Sequence, residues 1–446
     1  MNYFVVLSSA FINGFVALAL EVLAPRMIAP YFGQSPAIWA IVISTFLLGL
    51  SLGYWLGANK NFNLYRLYLF NIFFLIALLF YREIFAILDV TYSYPTLQIM
   101  LANLIFLPNA IIFGLISPQL ARAIGESAQK SYGYLAAAAT VGGILGCLVT
   151  SLFLFEWLNT LQILFSLISL ILLLFIPVNK KWLIAVPALI ALIFLSRDDS
   201  YKSKYQDIHI TTENNLVFLW AGGNIQSAMN LKNENEPAIE YISTMLSGLN
   251  YSNKTEHVLF LGLGGGSMAK SLHYKYPNIN ITAVEFDPTM IELARNTFRL
   301  PKAITIYNQD ARMFLKNDLN KYDAIFLDCY STITPPAHLV TLEFYQLLKE
   351  HLTPGGIVVS NLLRFSYIES QIATQYQVFS NIKTIKTNSF NLISLASTLP
   401  IEFKSESFPA PAFAAEDYKS TAPANIFTDI KSIGQYIHLR SSKEFL

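Results

Sequence analysis

Hydrophobic positions divide this chain into two unlike halves. Long apolar runs fill residues 3 to 195, whereas residues 196 to 446 alternate short apolar runs with polar segments. A membrane-spanning helix needs about 20 apolar residues, and six runs meet that length. They lie at about 3–23, 37–58, 64–81, 97–117, 134–155 and 160–177. A shorter run at 182–195 would reach only about 21 Å as a helix, less than the roughly 30 Å of a bilayer core. The pattern predicts a multi-pass helical membrane domain over 1–198, with six spans and a seventh left open.

Small residues recur at every fourth position inside two of these runs. They are Gly49, Gly53, Gly57, Gly142 and Gly146. In lipid, small residues let two helices approach closely, so we expect tightly packed helix pairs. Glu21 and Arg26 follow the first run, and ionisable groups near lipid are costly and usually functional, which leaves a transport path as an alternative. A helix-end position also allows snorkelling or a mutual ion pair, and we favour a membrane anchor.

Basic residues concentrate in the loops after the even-numbered runs. These loops hold Lys60, Arg66, Arg122, Lys130, Lys180 and Lys181, while the loops after the first and third runs hold Arg26 and Arg82. With six spans, the positive-inside rule places both termini in the cytoplasm. We therefore expect a multi-pass protein of the inner or plasma membrane, with its polar half in the cytoplasm. If the run at 182–195 also spans the membrane, the difference in basic residues between the two sides nearly disappears.

The second half shows the alternation of a mixed α/β protein. Residues 205–231 alternate as strands, with turn signals at Asn214-Asn215 and at Gly222-Gly223-Asn224, and they predict a small antiparallel β cap. Helices are then predicted at 239–249, 288–298 and 341–351, and strands at 258–261, 304–307, 323–327, 357–360, 382–386 and 392–396. This order predicts a doubly wound α/β domain. We assign the cap and a linking helix to 199–252, the α/β domain to 253–402, and a C-terminal extension to 403–446.

One strand–turn–helix–strand unit, His257 to Asp287, contains a glycine cluster. An apolar strand enters the cluster, whose members are Gly262, Gly264, Gly265 and Gly266, and a second apolar run ends at Glu285. Glycines allow a tight turn and a close approach to a ligand, and the following helix offers free N–H groups. A carboxylate roughly 20 residues further on can accept hydrogen bonds from ribose hydroxyls. The unit predicts a nucleoside-binding site.

Acidic residues end three successive predicted strands. Glu285, Asp310 and Asp328 each lie at the carboxyl end of a strand, which is the edge where open α/β sheets bind ligands. A single such acid is equally consistent with a helix N-cap or a solvated loop. Three such acids beside a glycine loop indicate a ligand-binding site. His338, in the loop after Asp328, is assigned no role.

Composition excludes several functional classes. Hydrophobic residues make up 54% of the chain and charged residues 13%, which is too apolar for a soluble protein of this size. The net charge of +1 provides no electrostatic footprint for nucleic acid. The two cysteines, Cys147 and Cys329, cannot build a disulfide framework or a zinc cluster, so we expect no metal site.

Several segments in order resemble one enzyme family. VLFLGLGGGS, AVEFD, NQDARMFL, YDAIFLD and PPAHLVTLEFYQLLKEHLTPGGIVVSNL resemble the spermidine synthase (polyamine aminopropyltransferase) family over roughly 205–400, and most closely its membrane-fused branch. The resemblance implies a Rossmann-like fold shared with class I methyltransferases. It also implies that a loop with Gly262, Gly264 and Gly266 holds the methionine-derived part of a nucleoside. Glu285 would bind the ribose and Asp310 the adenine amino group, with Gln226 and Tyr241 contacting the donor from the cap.

The chemistry that this resemblance implies is attack of an amine on a sulfonium-activated carbon. Decarboxylated S-adenosylmethionine, or S-adenosylmethionine itself, would be the co-substrate, and no tightly bound cofactor is expected. A putrescine-like amine would be the acceptor, and Asp328 the base that removes its proton. The lipid bilayer is a further expected partner, nucleic acid is not, and a homo-oligomer is left open.

The chain departs from the family pattern on the amine side. The family's Asp-x-x-Asp-Pro reads Asp328-Cys329-Tyr330-Ser331-Thr332, and Gly265 stands where the family has an acid. The family's His-Glu after the cap tyrosine is also missing, and its C-terminal element is reduced to Thr428-Asp429. Two alternatives therefore stay open. One is a methyltransferase acting on a membrane-proximal substrate, and the other is a silent nucleoside-binding module on a membrane or transport domain.

Overall fold

The structure is a computed structural model, and it divides into two compact units, Met1–Asp207 and Ile208–Leu446. It describes residues 3–32, 36–91, 100–124, 128–175, 200–201, 203, 205–206, 208–221, 224–252, 254–330, 335–363, 367–404, 408, 413–418 and 426–428. The predicted run at 182–195 and most of the predicted extension 403–446 lie outside these residues.

The first unit is helical. Its α-helices are α1 (Tyr3–Phe32), α2 (Pro36–Asn59), α3 (Leu64–Ala77), α4 (Tyr81–Thr91), α5 (Leu107–Ile124), α6 (Ala128–Val149), α7 (Phe155–Trp157) and α8 (Thr160–Leu172). Its described part also contains short 3₁₀ segments at Leu78–Phe80 and Leu173–Phe175, a π segment at Thr150–Leu154, helical residues 100–103 and a two-residue strand β1 (Ser200–Tyr201).

Five helical segments in the described part of the chain are long and apolar enough to cross a membrane. They are Tyr3–Ala29, Ile38–Asn59, Leu64–Phe85, Met100–Ala123 and Tyr132–Trp157, which correspond to the first five predicted runs. The sixth run forms a shorter apolar helix, Thr160–Leu172. A capping box of Asn159 and Gln162 begins this helix, whose 13 residues would reach only about 20 Å. A 3₁₀ segment continues it over Leu173–Phe175, and residues 176 and 177 of the run lie outside the described residues, so a sixth span stays a prediction.

Glycines place two pairs of helices in backbone contact. A Cβ built on Gly142 of α6 would lie 2.0 Å from the Phe11 carbonyl oxygen of α1. A Cβ on Gly53 of α2 would lie 2.2 Å from the Ile111 carbonyl oxygen of α5. No side chain fits into such gaps, so the prediction of close packing through small residues is confirmed.

Arg26 is held at the end of α1 by backbone acceptors. Its Nη1 donates to the Phe155 carbonyl (3.3 Å) and its Nη2 to the Ser203 carbonyl (3.2 Å). The guanidinium carbon lies 4.7 Å from the centre of the Phe155 ring. These contacts stabilise the local structure around the helix end, as carbonyl hydrogen bonds and cation–π contacts do.

The second unit begins with an antiparallel β cap, as predicted. Its strands are β2 (Ile208–Glu213), β3 (Leu216–Ala221), β4 (Asn224–Asn230) and β5 (Asn233–Pro237). Asn214 and Asn215 both have positive φ, 49° and 65°, which is the type I′ turn that the Asn-Asn pair indicated. Helix α9 (Glu240–Ser247) then leads to the main sheet.

The main sheet has eight strands in the order β13-β11-β12-β10-β9-β6-β7-β8. They are β6 (His257–Leu261), β7 (Asn280–Glu285), β8 (Thr305–Asn308), β9 (Tyr322–Leu327), β10 (Leu352–Leu363), β11 (Asn381–Lys386), β12 (Asn391–Ser397) and β13 (Glu416–Asp417). Strands β6 to β10 are parallel, while β12, β11 and β13 each pair antiparallel with their neighbours. This is the predicted Rossmann-like arrangement.

Helices cover both faces of the main sheet. They are α10 (Ser267–Lys275), α11 (Pro288–Asn296), α12 (Ala311–Asn317), α13 (Leu342–Glu350) and α14 (Ile368–Tyr376). Strand β6 explains how the two cores arise, because Val258 and Phe260 enter one core and Leu259 and Leu261 the other. A strand that is apolar at every position is typical of a sheet buried on both sides.

The strand order puts a switch point beside β6. Strand β6 pairs with β7 on one side and with β9 on the other, so the chain leaves the middle of the sheet in two directions. The Gly262 N–H donates to the Val284 carbonyl (2.9 Å), and the Asp328 N–H donates to the Leu261 carbonyl (2.9 Å). The ends of β6, β7 and β9 therefore meet, and ligands bind at such a crevice in open α/β sheets.

Candidate functional site

The loop after β6 requires glycine at three positions. Gly262, Gly264 and Gly266 have φ values of +87°, +54° and +74°, a region that other residues rarely adopt. A Cβ on Gly262 would also lie 2.2 Å from the Asp328 carbonyl oxygen. Gly266 is the N-cap of α10. The glycine loop thus packs directly against the backbone of Asp328.

Gly265 excludes a side chain for a different reason. A Cβ there would lie 2.8 Å from the Ser227 Cβ of the cap and 3.0 Å from the Phe298 ring. The cap strand β4 therefore occupies the space into which an acid at this position would extend. This packing accounts for the glycine that stands where the family pattern has an acid.

Glu285 at the end of β7 holds the glycine loop. Its Oε2 accepts hydrogen bonds from the N–H groups of Leu263 (3.0 Å) and Gly264 (3.3 Å), and its Oε1 accepts from the Asp287 N–H (2.9 Å). Burial raises the pKa of this carboxyl, and the three N–H donors partly offset the rise. Because a carboxylate has about four acceptor sites, a bidentate contact to ribose requires the long Gly264 bond to be released.

Asp310 is both a helix cap and a hydrogen-bond partner of His338. Its Oδ1 accepts from the N–H groups of Arg312 and Met313, both at 3.0 Å, at the start of α12. The His338 Nε2–H donates to Asp310 Oδ2 at 2.8 Å, since an ionised carboxylate can only accept. The hydrogen bond from His338 is the main reason why the pKa of Asp310 is lowered. His338, to which the sequence assigned no role, therefore contacts a predicted site residue.

Asp328, just after β9, is half-buried and accepts two side-chain hydrogen bonds. Its Oδ1 accepts from Asn361 Nδ2 (2.8 Å) and its Oδ2 from the Tyr241 hydroxyl (3.2 Å). Burial raises the pKa of Asp328, and these two donors partly offset the rise. Burial, followed by the charge of Asp328, raises the pKa of Tyr241 well above its ordinary value, so Tyr241 stays protonated and donates. A carboxyl whose pKa is raised is a better base near neutral pH than an exposed one.

The three predicted acids lie at the carboxyl ends of β7, β8 and β9, at one edge of the main sheet. Burial raises the pKa of the Cys329 thiol well above its ordinary value, and the charges of Glu285, Asp328 and Asp310 raise it further. The Gln309 N–H, next to Asp310, donates to the Glu285 carbonyl (3.1 Å), and β6 pairs with β9 up to Leu327, the residue before Asp328. The strand-end pattern placed these acids at one edge, and the structure shows them together there.

The two cap-side residues occupy different positions. Gln226 lies on β4, and its carbonyl oxygen would be 3.6 Å from a Cβ on Gly264, so the cap strand runs beside the loop. Tyr241 lies in the first turn of α9, and its hydroxyl donates to Asp328. Asn361, on β10, was not singled out in the sequence at all. The sequence contains no periodic signal for its contact with Asp328, because the two residues are 33 positions apart.

Comparison with known proteins identifies this unit. Residues 240–405 match the family model of the spermine/spermidine synthase domain. This part of the chain belongs to the spermine/spermidine synthase family. The match covers the loop after β6 and the acids at the ends of β7 and β9.

Curated members of the spermidine synthase family align over part of this chain. The chain is 37% identical over 122 residues to a probable polyamine aminopropyl transferase of Bifidobacterium longum (strain NCC 2705), over 27% of this chain and 27% of that protein. It is 31% identical over 170 residues to a polyamine aminopropyltransferase of Vibrio vulnificus (strain CMCP6), over 36% of this chain and 57% of the relative. The chain therefore spans less than two thirds of the length of either relative.

A solved structure of a probable spermidine synthase from Corynebacterium glutamicum ATCC 13032 is also similar. It covers 47% of this chain and 83% of its own, with 23% identity and a TM-score of 0.43.

Proposed function

We propose that this chain is a membrane-anchored aminopropyltransferase. It moves the aminopropyl group of decarboxylated S-adenosylmethionine to an amine, with Asp328 as the base. One observation carries the proposal: the backbone of Asp328 packs against Gly262 of the glycine loop, and its carboxyl, whose pKa is raised by burial, accepts hydrogen bonds from Tyr241 and Asn361. A base and a nucleoside site at one sheet edge are what this reaction needs.

The reaction is a displacement at carbon. The nitrogen lone pair of the acceptor attacks the propyl carbon next to the sulfonium, a C–N bond forms, and the C–S bond breaks. The bonding pair goes to sulfur, which becomes a neutral thioether. A protonated amine has no lone pair, so a base must take its proton, and this is the role proposed for Asp328.

The donor would lie along the edge formed by the loop and the acids. Glu285 would bind the ribose hydroxyls while still holding the Leu263 N–H, and Asp310 would accept from the adenine amino group beside His338. The backbone of Gly262, Gly264 and Gly266 and the side chain of Gln226 would surround the methionine-derived part. Tyr241, whose hydroxyl donates to Asp328, would contact both the donor and the base.

The acceptor is proposed as an amine with fewer charges than the diamine of the family pattern. A second buried ammonium needs a carboxylate partner, since an unpaired buried charge is very costly. Both acids of the family pattern that could pair with a second ammonium are absent here. Position 265 is a glycine with no room for a side chain, and position 331 is Ser in place of Asp. A putrescine-like diamine therefore remains a substrate to be tested against monoamines.

The membrane anchor is proposed from the five long apolar helices. With the basic residues of the predicted loops on the inner side, the proposed location is the inner or plasma membrane, with the catalytic unit in the cytoplasm. The lipid bilayer and a small-molecule amine are the proposed partners.

Product analysis tests the function directly. The full-length chain in lipid nanodiscs is incubated with decarboxylated or ordinary S-adenosylmethionine and a panel of diamines and monoamines, and mass spectrometry follows the products. We expect aminopropylated amine and methylthioadenosine from the decarboxylated donor, lost in Asp328→Asn. A methylated product from the ordinary donor would show that the protein is a methyltransferase instead. Donor binding without any product would show that the unit is a nucleoside-binding module without catalytic activity.

A further inference from the structure

A row of polar side chains leads from Asp328 into the sheet. Asn361 Nδ2 donates to Asp328 Oδ1 (2.8 Å), Asn391 Nδ2 donates to Asn361 Oδ1 (2.8 Å), and Ser389 Oγ donates to Asn391 Oδ1 (2.8 Å). Asn361 is only 6% exposed and Asn391 only 9%. Every donor in the row therefore faces Asp328, and its two amides are largely shielded from water.

The row determines which way the Asn361 amide faces. An asparagine amide turned by half a rotation keeps its shape but exchanges donor and acceptor. Turned in this way, Asn361 would present its oxygen to the Asp328 carboxylate. The Asn391 N–H, which needs the Asn361 oxygen, opposes that rotation. Antiparallel pairing of Asn361 with Ile393 and of Leu363 with Asn391 makes the two asparagines diagonal neighbours on β10 and β12.

We propose that Asn391 is a positioning residue for the reaction of Asp328. It acts through Asn361, keeps an N–H donor on the carboxylate and so holds the base in one orientation. This inference rests on the proposed function only in taking Asp328 as the base. Asn391 itself touches neither the base nor the substrate.

Loss of the donor also changes the titration of the base. Asn361 lowers a pKa that burial raises, so removing its N–H from the carboxylate raises the pKa of Asp328 further. The other ionisable groups around the carboxylate are Tyr241 of α9, Cys329 next in the chain, and Glu285 and Asp310 at the neighbouring strand ends. Tyr241 and Cys329 have raised pKa values and stay neutral near pH 7.

The variant Asn391→Leu tests the proposal in the full-length chain in nanodiscs. A hydrogen bond to a charged group shifts the pKa of that group by at least about one unit, so its loss should move the pKa of Asp328 by about that amount. We expect the acidic limb of the kcat–pH profile to move up by about one unit, so that kcat on that limb falls about tenfold. The KM for the donor should change less than about twofold. Asn391→Asp keeps the shape but draws the Asn361 N–H to itself when ionised, so it should move the limb the same way.

Two further comparisons distinguish positioning from stability. Ser394 lies on the same strand as Asn391, is fully buried and hydrogen-bonds to Gln375 (2.6 Å), so Ser394→Ala is a matched control that should leave the limb in place. If Asn391 acts through Asn361, the double variant Asn361→Leu/Asn391→Leu should be no worse than Asn361→Leu alone. Additive losses, or an unmoved limb in both Asn391 variants, overturn the proposal.

Infrared difference titration separates this proposal from the proposed function. The measurement follows the carboxyl band of Asp328 as the pH changes, and the loss of that band in Asp328→Asn assigns it. It requires no substrate. A shifted band in Asn391→Leu together with no transfer by the wild type would support the positioning and refute the function. Active transfer with an unshifted band and an unshifted limb would refute the positioning and keep the function.

Discussion

Asp328→Asn is the perturbation that the site makes most informative. An asparagine has the shape of an aspartate, so its oxygen can accept from Asn361 as Oδ1 does now (2.8 Å). The Tyr241 hydroxyl, now 3.2 Å from Oδ2, can rotate and accept from the new amide N–H. The contacts around residue 328 therefore survive the change, and only the basicity is lost.

The expected effect follows from the loss of the base. General base catalysis contributes typically 10²–10⁴-fold, so kcat at neutral pH should fall by about that factor. Donor affinity should stay within about twofold, because Glu285 and the glycine loop are untouched. Raising the pH supplies neutral amine, whose pKa is near 10 for an alkylamine, so the variant should regain up to about tenfold per pH unit below that value.

The assay measures turnover by mass spectrometry between pH 6 and 10 and donor binding by calorimetry on the full-length chain. Asp323→Asn is the matched control, because Asp323 lies on β9, the strand that ends just before Asp328, and accepts from the N–H groups of Glu256 (2.8 Å) and His257 (3.1 Å). That control should lower stability without the same loss of kcat. Turnover near the wild-type rate in Asp328→Asn at neutral pH would show that Asp328 only supports the loop.

Three other changes test the remaining parts of the molecule. Glu285→Ala removes a charge-assisted contact to the ribose and should weaken donor binding by about 2–3 kcal/mol in calorimetry, and unchanged affinity would refute the ribose site. Gly142→Ala forces a methyl group against the Phe11 carbonyl (2.0 Å) and should cost about 1–3 kcal/mol, whereas Gly133→Ala on the same helix meets nothing within 4 Å. Thermal unfolding in nanodiscs compares the two, and equal losses would contradict the packing argument. A cysteine at Ser200 should resist an impermeant thiol reagent in intact cells, and efficient labelling would place this segment outside.

Local sequence was sufficient for the glycine loop and the strand ends. The loop needs positive φ at Gly262, Gly264 and Gly266, and such backbone demands are visible as glycine in the sequence. Glu285 and Asp328 each end an apolar strand, and parallel strands necessarily bring their carboxyl ends to one edge. The position of the acids at one edge of the sheet could therefore be predicted before any coordinates.

Partners that join distant segments could not be predicted in this way. The contacts of Asp328 with Tyr241 and Asn361 connect residues 87 and 33 positions apart, and that of Asp310 with His338 connects residues 28 apart. No periodicity encodes them, because they arise only when the separate segments that carry these residues pack together. These contacts shift the pKa values on which the chemistry depends.

Helix ends and packing space were likewise decided by tertiary structure. Within the apolar run at 160–177, the α-helix changes to a 3₁₀ segment after Leu172, a point that hydropathy does not mark because it measures transfer to lipid and not backbone hydrogen bonding. Gly265 appears in the sequence as one more loop glycine, but the cap residue Ser227 is what excludes a side chain there. The sequence by itself determined which residues meet the ligand edge, because strand direction and backbone φ are local properties. Only the folded chain decided their hydrogen-bond partners and the space around them, because those depend on segments far apart in sequence.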